Sequence, residues 1–481
     1  MANSPEKLSP RKQAIRNLAD RMAPERDAWI ARNPHYHEED LNYLNFLVPQ
    51  GLRVLVLGGD IGRVLDRLKP SYGVGVSISG KMIALARDRF PDYEYHVGDV
   101  EDPQILSALT GTFDVIVLVD MMGLLEDCEA MLASLQKFSQ SDTRVVIAYW
   151  SHLWEPILKV ASTFGYRMPQ VEENWLSTAD IDNLLNLSDF EIVKREWRQL
   201  VPKRLLGLGA VINRYIATLP VIRHFCLRNY IVARTLPKGL KHNLSVSIII
   251  PCRNERGNIE AAVERLPRFA ADMEIIFVEG HSKDGTLEEC SRVKDKHTDL
   301  DIKVLVQDGK GKGDAVRKGF EAARGDVLMI LDADLTVPPE VLPKFYSAIQ
   351  RGKGDFINGT RLVYPMEKGA MRFLNFLANR TFAVIFSFLL NQRFSDTLCG
   401  TKVLRRTHYL QIANNRAYFG EFDPFGDFDL IFGAVKLNLK IAEIPIRYAE
   451  RSYGETQISR FQHGWLLLRM VIFAWRKLKA F

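Results

Sequence analysis

The sequence predicts an α/β protein of two doubly wound domains, because two parts of the chain alternate short apolar runs with amphipathic segments of helical spacing. In the first part, the apolar runs lie at residues 53–59, 73–78, 93–97, 113–119 and 144–150. In the second part, they lie at residues 245–250, 274–278, 303–306 and 326–331. A chain of 481 residues is long enough for about three domains, so it can hold two sheets and a segment between them.

A stretch rich in Pro, Gly and Lys separates the two patterns at residues 236–243, and linkers of this composition hold few contacts between domains. Residues 203–234 are apolar at helical spacing, which predicts helices before the linker. The predicted organisation is a flexible N-terminus at 1–25, a first domain at 26–200, a helical connector and linker at 201–243, a second domain at 244–460 and a basic amphipathic segment at 461–481.

The composition excludes several classes of protein. With 47% hydrophobic and 25% charged residues, the chain resembles a folded soluble protein, and a net charge of +6 does not indicate nucleic-acid binding. The five cysteines are scattered and form no Cys-x-x-Cys pair, which favours a reducing compartment. The N-terminus lacks the apolar core of a secretory signal, and no apolar run reaches the ~20 residues of a membrane span. We therefore expect a cytoplasmic protein.

The strongest functional motif follows an apolar run in the second part. Residues 328–336 read Leu-Met-Ile-Leu-Asp-Ala-Asp-Leu-Thr, so Asp332 and Asp334 stand two residues apart at the predicted end of a strand. Strand periodicity would put both carboxylates on one face, at the edge where open α/β sheets bind ligands. Two carboxylates there predict a site for Mg²⁺ or Mn²⁺ that phosphate oxygens complete.

Three other segments predict a diphosphate site beside that metal. Residues 247–255 are an apolar strand that ends in Pro and a polar loop, and residues 274–286 are a strand followed by an acidic turn. Residues 309–315, Gly-Lys-Gly-Lys-Gly-Asp-Ala, open a helix with flexible backbone and two lysines, including Lys312. Such a helix start is suited to a diphosphate, although the Gly-Lys-Ser/Thr ending of a P-loop is absent.

In this order and spacing, the segments resemble the family-2 glycosyltransferases of GT-A fold, in particular the dolichyl-phosphate mannosyltransferases and other polyprenyl-phosphate sugar transferases. The resemblance runs from about residue 245 to the C-terminus. It implies a UDP- or GDP-linked sugar donor, inverting chemistry, and metal ligation by Asp332 and Asp334. Gly280 and His281 depart from the family's acidic turn, which leaves the nucleobase open. The residues assigned to the nucleotide sugar are Pro251, Glu255, Glu279, Asp284, Lys312 and Arg361.

Two kinds of acceptor fit the downstream motifs. Residues 394–402 are similar to a family segment beside the acceptor, and residues 447–460 to a basic family stretch. A hydroxyl acceptor needs a general base, for which the candidates are Asp396, Asp427 and Asp429. A polyprenyl phosphate needs cations instead, for which the candidates are Arg451 and Arg460. A glycan or glycolipid hydroxyl remains the alternative to polyprenyl phosphate.

Two apolar segments predict peripheral association with the inner leaflet of the cytoplasmic membrane. Residues 381–390 are an apolar run between two arginines, which is too short to span a bilayer. Residues 465–481 combine aromatic residues with Arg and Lys, as interfacial helices do. A terminal helix packed on its own domain is the alternative interpretation of the second segment.

The first part carries a motif of another kind. Residues 54–62, Val-Leu-Val-Leu-Gly-Gly-Asp-Ile-Gly, resemble motif I of class I S-adenosylmethionine-dependent methyltransferases, which have a Rossmann-like fold. The resemblance covers about residues 36–150 and implies S-adenosylmethionine binding by Gly58, Gly62 and Asp99. Asp60 and Ser77 depart from the family, since they replace a glycine and an acidic residue respectively.

Three functional hypotheses follow. The leading one is a metal-dependent glycosyltransferase with an attached methyltransferase-like domain, acting in the assembly of a cell-envelope glycan or glycolipid. A second makes methylation of a glycan intermediate the main activity, with the second domain as a sugar-binding module. In a third, the first domain is a non-enzymatic scaffold.

Overall fold

The computed structural model describes residues 8–171, 173–236, 243–362, 373–418, 426, 428–449, 451, 453 and 460–480. It divides into two compact units, Met1–Leu236 and Pro237–Phe481. The described residues of each unit form a seven-stranded sheet flanked by helices. The predicted fold class, two successive α/β domains of doubly wound type, is confirmed.

The N-terminal sheet has the strand order β3-β2-β1-β4-β5-β7-β6. Strands β1 to β5 are parallel, whereas β7 runs antiparallel to both β5 and β6. The strands are β1 (Arg53–Leu57), β2 (Tyr72–Ser77), β3 (Glu94–Val97), β4 (Phe113–Val119), β5 (Ser139–Trp150), β6 (Phe190–Arg198) and β7 (Arg228–Thr235).

Helices pack on both faces of this sheet. They are α1 (Pro10–Met22), α2 (Arg26–Arg32), α3 (Pro34–Leu47), α4 (Ile61–Leu68), α5 (Gly80–Arg89), α6 (Pro103–Ala108), α7 (Cys128–Ser134), α8 (Glu155–Thr163), α9 (Thr178–Leu187) and α10 (Leu208–Val211). The prediction of a flexible N-terminus over residues 1–25 is wrong for the described part of that range. Ser9 caps α1 by accepting a hydrogen bond from the Lys12 amide, and Ile15 and Met22 are buried.

The predicted helical connector is also partly wrong. Residues 228–235 form the buried strand β7 instead of a helix, and they belong to the N-terminal sheet. Charged side chains at both ends of the strand obscured its pattern. Arg228 pairs with Asp40 and Asp120, and Arg234 pairs with Glu191, so each guanidinium is buried with a partner.

The C-terminal sheet has the strand order β10-β9-β8-β11-β13-β12-β14. Strand β13 runs antiparallel to β11 and β12, and the other neighbouring pairs are parallel. The strands are β8 (Val246–Cys252), β9 (Met273–Glu279), β10 (Asp301–Val306), β11 (Val327–Ile330), β12 (Phe356–Thr360), β13 (Lys402–Arg405) and β14 (Ile441–Pro445).

A continuous apolar core joins this sheet to its helices and includes Ile248, Phe277, Met329 and Phe345. Within the described residues, we find no helix whose length and hydrophobicity would let it cross a membrane. The helices are α11 (Ile259–Glu264), α12 (Thr286–Lys296), α13 (Lys312–Ala322), α14 (Leu342–Gln350), α15 (Phe373–Leu390), α16 (Arg406–Asn414), α17 (Phe428–Lys436) and α18 (Arg460–Leu478).

Candidate functional site

The two aspartates of the metal motif lie in a turn at the carboxyl end of β11. The strand ends at Ile330, so the prediction that strand periodicity aligns both carboxylates is wrong. The Leu335 amide donates to the Asp332 carbonyl at 3.2 Å, and Leu335 adopts a left-handed backbone with φ of 53°. In this turn each carboxylate contacts a different cation.

Asp332 is paired with the first residue of α13. The Lys312 Nζ lies 2.7 Å from the Asp332 Oδ1. Burial alone would raise the pKa of Asp332, but the Lys312 ammonium outweighs it and lowers the pKa below its ordinary value. The helix begins after Gly311, whose φ of 87° lies in the left-handed region that favours glycine. The turn after β11 and the start of α13 therefore meet as the sequence predicts.

Asp334 is paired with a cation from near the C-terminus. The Arg451 Nη2 donates to Asp334 Oδ2 at 2.6 Å, and its Nη1 donates to Glu255 Oε1 at 3.2 Å. Thr336 holds the other oxygen of Asp334 through its hydroxyl at 2.8 Å. Burial raises the pKa of Glu255 against the opposing charge of Arg451. One guanidinium thus joins the loop after β8 to the metal motif.

The loops after β8 and β9 are fastened to one another. The Asn254 amide donates to the Ser282 hydroxyl at 2.9 Å, and the Lys283 amide donates to Asn254 Oδ1 at 2.9 Å. The Glu255 amide donates to Thr286 Oγ1 at 3.0 Å. These bonds place Glu255 beside the acidic turn, so the loops predicted to contact the nucleotide sugar form one wall.

The acidic residues of the β9 turn are themselves held by hydrogen bonds. Glu279 is buried and accepts from the Ser282 amide at 2.5 Å. Asp284 accepts from the Thr286 hydroxyl at 2.5 Å. Burial would raise the pKa of Asp284, but these hydrogen bonds lower it. Pro251 lies within β8, paired in register with Val278, rather than in the loop.

Arg361 and Asp396 form a buried ion pair next to this wall. The Arg361 Nε and Nη2 donate to the two carboxylate oxygens at 2.6 and 2.9 Å, and the Asp396 side chain is fully buried. A buried carboxylate held by a guanidinium fork cannot take a proton from an acceptor, so the general-base hypothesis for Asp396 does not fit. The same pairing keeps Arg361 from contacting a nucleotide sugar directly.

Of the remaining acceptor candidates, the structure describes the side chain of Asp429. Asp429 accepts from Arg416 Nε at 2.9 Å and lies 3.8 Å from Arg317 Nη1, on the helical side of the unit. Asp427 lies outside the described residues. Arg460 begins α18, and its side chain is outside what the structure describes.

The sequence motifs missed two residues that shape the site. A Cβ atom on Gly400 would lie 1.8 Å from Asp332 Oδ2 and 2.5 Å from Lys312 Nζ, so only glycine lets that ion pair form as it does. The signal was the glycine four residues after Asp396. Glu443 holds the same loop by accepting from the Ser395 amide at 2.8 Å.

The N-terminal unit contains a cavity of about 430 Å³ at the carboxyl ends of β1 to β5. Gly58, Asp99 and Asp120 line it, together with aromatic residues such as Tyr36 and Trp150. Gly62 does not line it, so that assignment is wrong. A Cβ on Gly62 would lie 2.8 Å from the Phe90 ring, which indicates that its role is close packing of α4 on α5.

The cavity meets some of the requirements of S-adenosylmethionine. Its volume is in the range of small-molecule sites. A Cβ on Gly58 would lie 2.9 Å from the Val119 carbonyl oxygen, and the φ of Gly58 is 74°, so this tight turn after β1 requires glycine, as a nucleotide-binding loop of the motif I type does. The Lys12 ammonium lies 3.0 Å from Asp99, and Arg26 Nε lies 3.6 Å from Asp60. Ser77 accepts from the Ser79 amide and offers no carboxylate. The loop after β1 therefore fits S-adenosylmethionine, whereas the residue at the position expected to bind the ribose does not.

A buried charge network forms one wall of the cavity. Arg228 is fully buried and pairs with Asp40 at 3.0 Å and with Asp120. Asp120 follows β4 and has a left-handed backbone with φ of 52°, a conformation that non-glycine residues adopt mostly at functional sites. Trp150 lies under the guanidinium, with 5.2 Å between the Arg228 Cζ and the ring centroid.

Comparison with known proteins agrees with the geometry of the C-terminal unit. Residues 247–412 match the family model for glycosyl transferase family 2. A dolichyl-phosphate hexose transferase of Haloferax volcanii is 30% identical over 224 residues, which are 46% of this chain and 89% of that protein. The C-terminal half of the chain belongs to glycosyltransferase family 2. The predicted family of enzymes is thus confirmed for this half.

Other relatives of the glycosyltransferase unit are covered less completely. A dolichol-phosphate mannosyltransferase of Pyrococcus furiosus is 30% identical over 221 residues, which are 45% of this chain and 59% of that protein. The chain spans 42% of the dolichol-phosphate mannosyltransferase of Saccharomyces cerevisiae. A crystal structure of glucosyl-3-phosphoglycerate synthase from Mycobacterium tuberculosis is 15% identical, with a TM-score of 0.36 over 50% of this chain and 81% of that one.

Residues 14–195 match a family model for a methyltransferase domain. This match covers the loop after β1 and most of the residues that line the cavity, so the N-terminal unit is methyltransferase-like, as its motif predicts. The match ends before β7, although that strand pairs with both β5 and β6 and supplies Arg228, the buried partner of the cavity-lining Asp120.

We expect Gly400→Ala to reduce sugar transfer by the glycosyltransferase unit about a hundredfold, because a displacement of about 1 Å at a reacting site has effects of that size. The added methyl group would push aside the Asp332 carboxylate and the Lys312 ammonium. Both can rotate away, so the melting temperature should change little. Steady-state transfer and thermal unfolding test this, with Gly464→Ala as the control because a Cβ there meets no atom within 4 Å. Equal activity of the two variants would contradict it.

His37, which lines the N-terminal cavity, should make the unfolding free energy of that unit depend on pH. Burial lowers its pKa to about 4 in the folded protein, against about 6.5 in the unfolded chain. The unfolded state therefore binds the proton first, and stability falls as pH drops below about 6.5, by about 2 kcal/mol at pH 5. Urea unfolding followed by tryptophan fluorescence measures this. His37→Gln should lose less stability between pH 8 and pH 5, and an identical loss would exclude the effect.

Proposed function

We propose that the C-terminal unit moves a hexosyl group from a UDP- or GDP-linked sugar to a polyprenyl phosphate. The observation that carries the proposal is the pairing of Asp332 with Lys312 and of Asp334 with Arg451. Two carboxylates and two cations converge there at the carboxyl end of the sheet, where open α/β folds bind ligands. A diphosphate and a divalent metal need this combination of charges.

Asp332 and Asp334 are the residues that would hold Mg²⁺ or Mn²⁺. The lowered pKa of Asp332 keeps it ionised, as an oxygen ligand of a hard cation must be. When bound, the metal would neutralise the charge of the departing nucleoside diphosphate. Lys312 and Arg451, which pair with the two aspartates, are the cations that would bind phosphate oxygens of the donor.

We choose a phosphate acceptor because the described carboxylates that could act as a general base are paired with arginines. Of the three carboxylates considered, Asp396 is buried in its pair with Arg361, and Asp429 is paired with Arg416. Among the described residues, Arg451 is the acceptor candidate that does lie at the site. A phosphate oxygen is already anionic and can attack the anomeric carbon without a base. A bond from that carbon to the acceptor phosphate then forms as its bond to the donor diphosphate breaks, with inversion.

The acceptor class agrees with the names of the relatives. These include a dolichyl-phosphate hexose transferase and an undecaprenyl-phosphate 4-deoxy-4-formamido-L-arabinose transferase of Pseudomonas fluorescens. A lipid acceptor requires the enzyme to work at a membrane surface. In α18, Trp465, Leu468 and Ile472 are exposed beside basic residues, which supports peripheral association with the inner leaflet.

The experiment that tests the proposal is sugar transfer from a panel of UDP- and GDP-sugars with Mn²⁺, with and without polyprenyl phosphate. Lipid-dependent transfer would identify donor and acceptor together. Metal-dependent hydrolysis of a donor without transfer to lipid would move the acceptor to a glycan or glycolipid hydroxyl. No turnover of any donor would refute the proposal and favour the N-terminal unit as the active half.

For the N-terminal unit, we infer that the cavity binds S-adenosylmethionine. The supporting observation is that the tight Gly58–Gly59 turn and Asp99 line a cavity of about 430 Å³. Isothermal titration calorimetry of the whole chain with S-adenosylmethionine tests this, with Asp99→Ala as the comparison. Heat of binding that weakens in the variant supports the inference. The absence of any heat of binding would indicate that the unit is a non-enzymatic scaffold. Asp60 and Ser77, which depart from the methyltransferase motifs, would then explain the loss of binding.

A further inference from the structure

The segment between β6 and β7 in the N-terminal unit presents an unusual surface. Within residues 205–225, six apolar side chains have exposed fractions between 51% and 107%. They are Leu205, Leu206, Leu208, Val211, Val221 and Phe225. Monomeric soluble proteins rarely expose a contiguous apolar patch of this extent without a partner for it.

The backbone at the tip of this segment holds two leucines outward. Leu205 and Leu206 have φ values of 41° and 56°, in the left-handed region that aliphatic residues avoid, and Gly207 follows with φ of 97°. The Leu206 side chain is 107% exposed. A fold that accepts strain at two successive residues and then exposes their side chains indicates a functional use of this tip.

The segment that carries the patch is itself basic. The sequence has no Asp or Glu between residues 197 and 254, whereas residues 203–225 contain four basic residues. Lys203 and Arg204, immediately before the two leucines, are exposed. Apolar side chains that alternate with Lys and Arg are the composition of segments that lie in the interface of an anionic bilayer.

The surface continues onto α8, beside the cavity of the same unit. The Trp154 indole N–H donates to the Phe225 carbonyl at 2.8 Å, which joins the two segments. Ile157 and Tyr166 are 54% and 72% exposed and also line the cavity, so they lie at its mouth. A bilayer docked on this surface would therefore border the entrance to the cavity.

We propose that residues 203–225 dock the N-terminal unit on an anionic lipid bilayer, with Leu205 and Leu206 inserted among the lipids. Pairing with a second copy of the same surface is disfavoured, because each copy of the segment would bring four cations and no carboxylate of its own to a two-fold interface. An acidic lipid surface supplies the missing negative charge. The inference concerns a surface separate from α18 and does not depend on the sugar-transfer activity.

The test places a fluorescent reporter on the proposed tip of the whole protein. Leu206→Cys in a Cys128→Ser background is labelled with the fluorophore NBD, since the other four cysteines are buried. The matched control is Leu187→Cys, because Leu187 is an exposed leucine of the same unit at the end of α9. The probes are vesicles of phosphatidylcholine, with and without phosphatidylglycerol.

NBD at position 206 should brighten at least about twofold and shift to shorter wavelength with the anionic vesicles, while NBD at position 187 stays unchanged. Raising the salt concentration should weaken the response, because it screens the attraction between exposed charges and the lipid surface. The double variant Leu205→Ser, Leu206→Ser should bind anionic vesicles about tenfold more weakly than Leu187→Ser in co-sedimentation.

An unchanged signal at position 206 would overturn the proposal, including the case in which the protein sediments with vesicles through α18 alone. A signal that rises with protein concentration without lipid would also overturn it, and would assign the surface to a second copy. Equal co-sedimentation of the two serine variants would have the same consequence.

Discussion

Asp332→Asn is expected to reduce sugar transfer by at least about a thousandfold while the protein remains folded. The asparagine side chain has nearly the same shape as aspartate, but it has no charge to bind a divalent cation or to hold the Lys312 ammonium at 2.7 Å. A metal that balances charge on a leaving group contributes several kcal/mol to the transition state, and about 1.4 kcal/mol corresponds to a factor of ten. Asp334→Asn should have a similar effect, since it also loses the Arg451 pair.

The measurement is single-turnover transfer at saturating donor, together with metal titration and thermal unfolding. Asp308→Asn is the matched control, because Asp308 is 86% exposed and pairs with Lys318 on the outer side of α13. Its turnover should equal that of the wild-type protein. Turnover of Asp332→Asn within tenfold of the wild type would refute the metal assignment, and a much lower melting temperature would instead attribute the loss to folding.

The strands that could be predicted are the successive parallel ones of each sheet, β1 to β5 and β8 to β11. Parallel strands are buried on both faces, so they appear in the sequence as continuous apolar runs. The run predicted at 113–119 is β4, and the run at 245–250 largely overlaps β8. The antiparallel strands were missed. In β7, Arg228 and Arg234 interrupt the apolar pattern, and only their carboxylate partners from other parts of the chain make their burial possible.

The candidate site could be predicted as a set of loops, but its internal pairing could not. The motifs identified Asp332 and Lys312, which form an ion pair at the end of the sheet. They also identified Glu255, which shares Arg451 with Asp334. They could not reveal that Arg361 and Asp396 bind each other, because the partners are 35 residues apart and each also suits a ligand. A sequence gives the type of each charged group, whereas its role depends on which partner it meets.

Neutralising Arg361 with methionine is expected to destabilise the glycosyltransferase unit by about 3–5 kcal/mol, the usual cost of leaving one member of a buried ion pair alone. Arg361 holds both oxygens of Asp396, which is fully buried, and the Leu398 amide donates to the same carboxylate at 3.0 Å. Four residues after Asp396, Gly400 lies against Asp332. Transfer should therefore fall as well, since the loop that shapes the metal motif loses its anchor.

The double variant Arg361→Met, Asp396→Leu separates these two effects, because replacing both members with apolar groups removes the unpaired charge. It should recover much of the lost stability in urea unfolding without recovering transfer. Burial would raise the pKa of Asp396, but the Arg361 charge outweighs it and lowers the pKa below the ordinary value. The pair's contribution is thus present above the ordinary pKa of about 3.9 and is lost as pH falls through the lower folded value. Wild type should consequently lose more stability than the double variant on acidification to about pH 3. If the Arg361→Met variant had the same urea unfolding midpoint as the wild type, the ion pair would not be what anchors this loop.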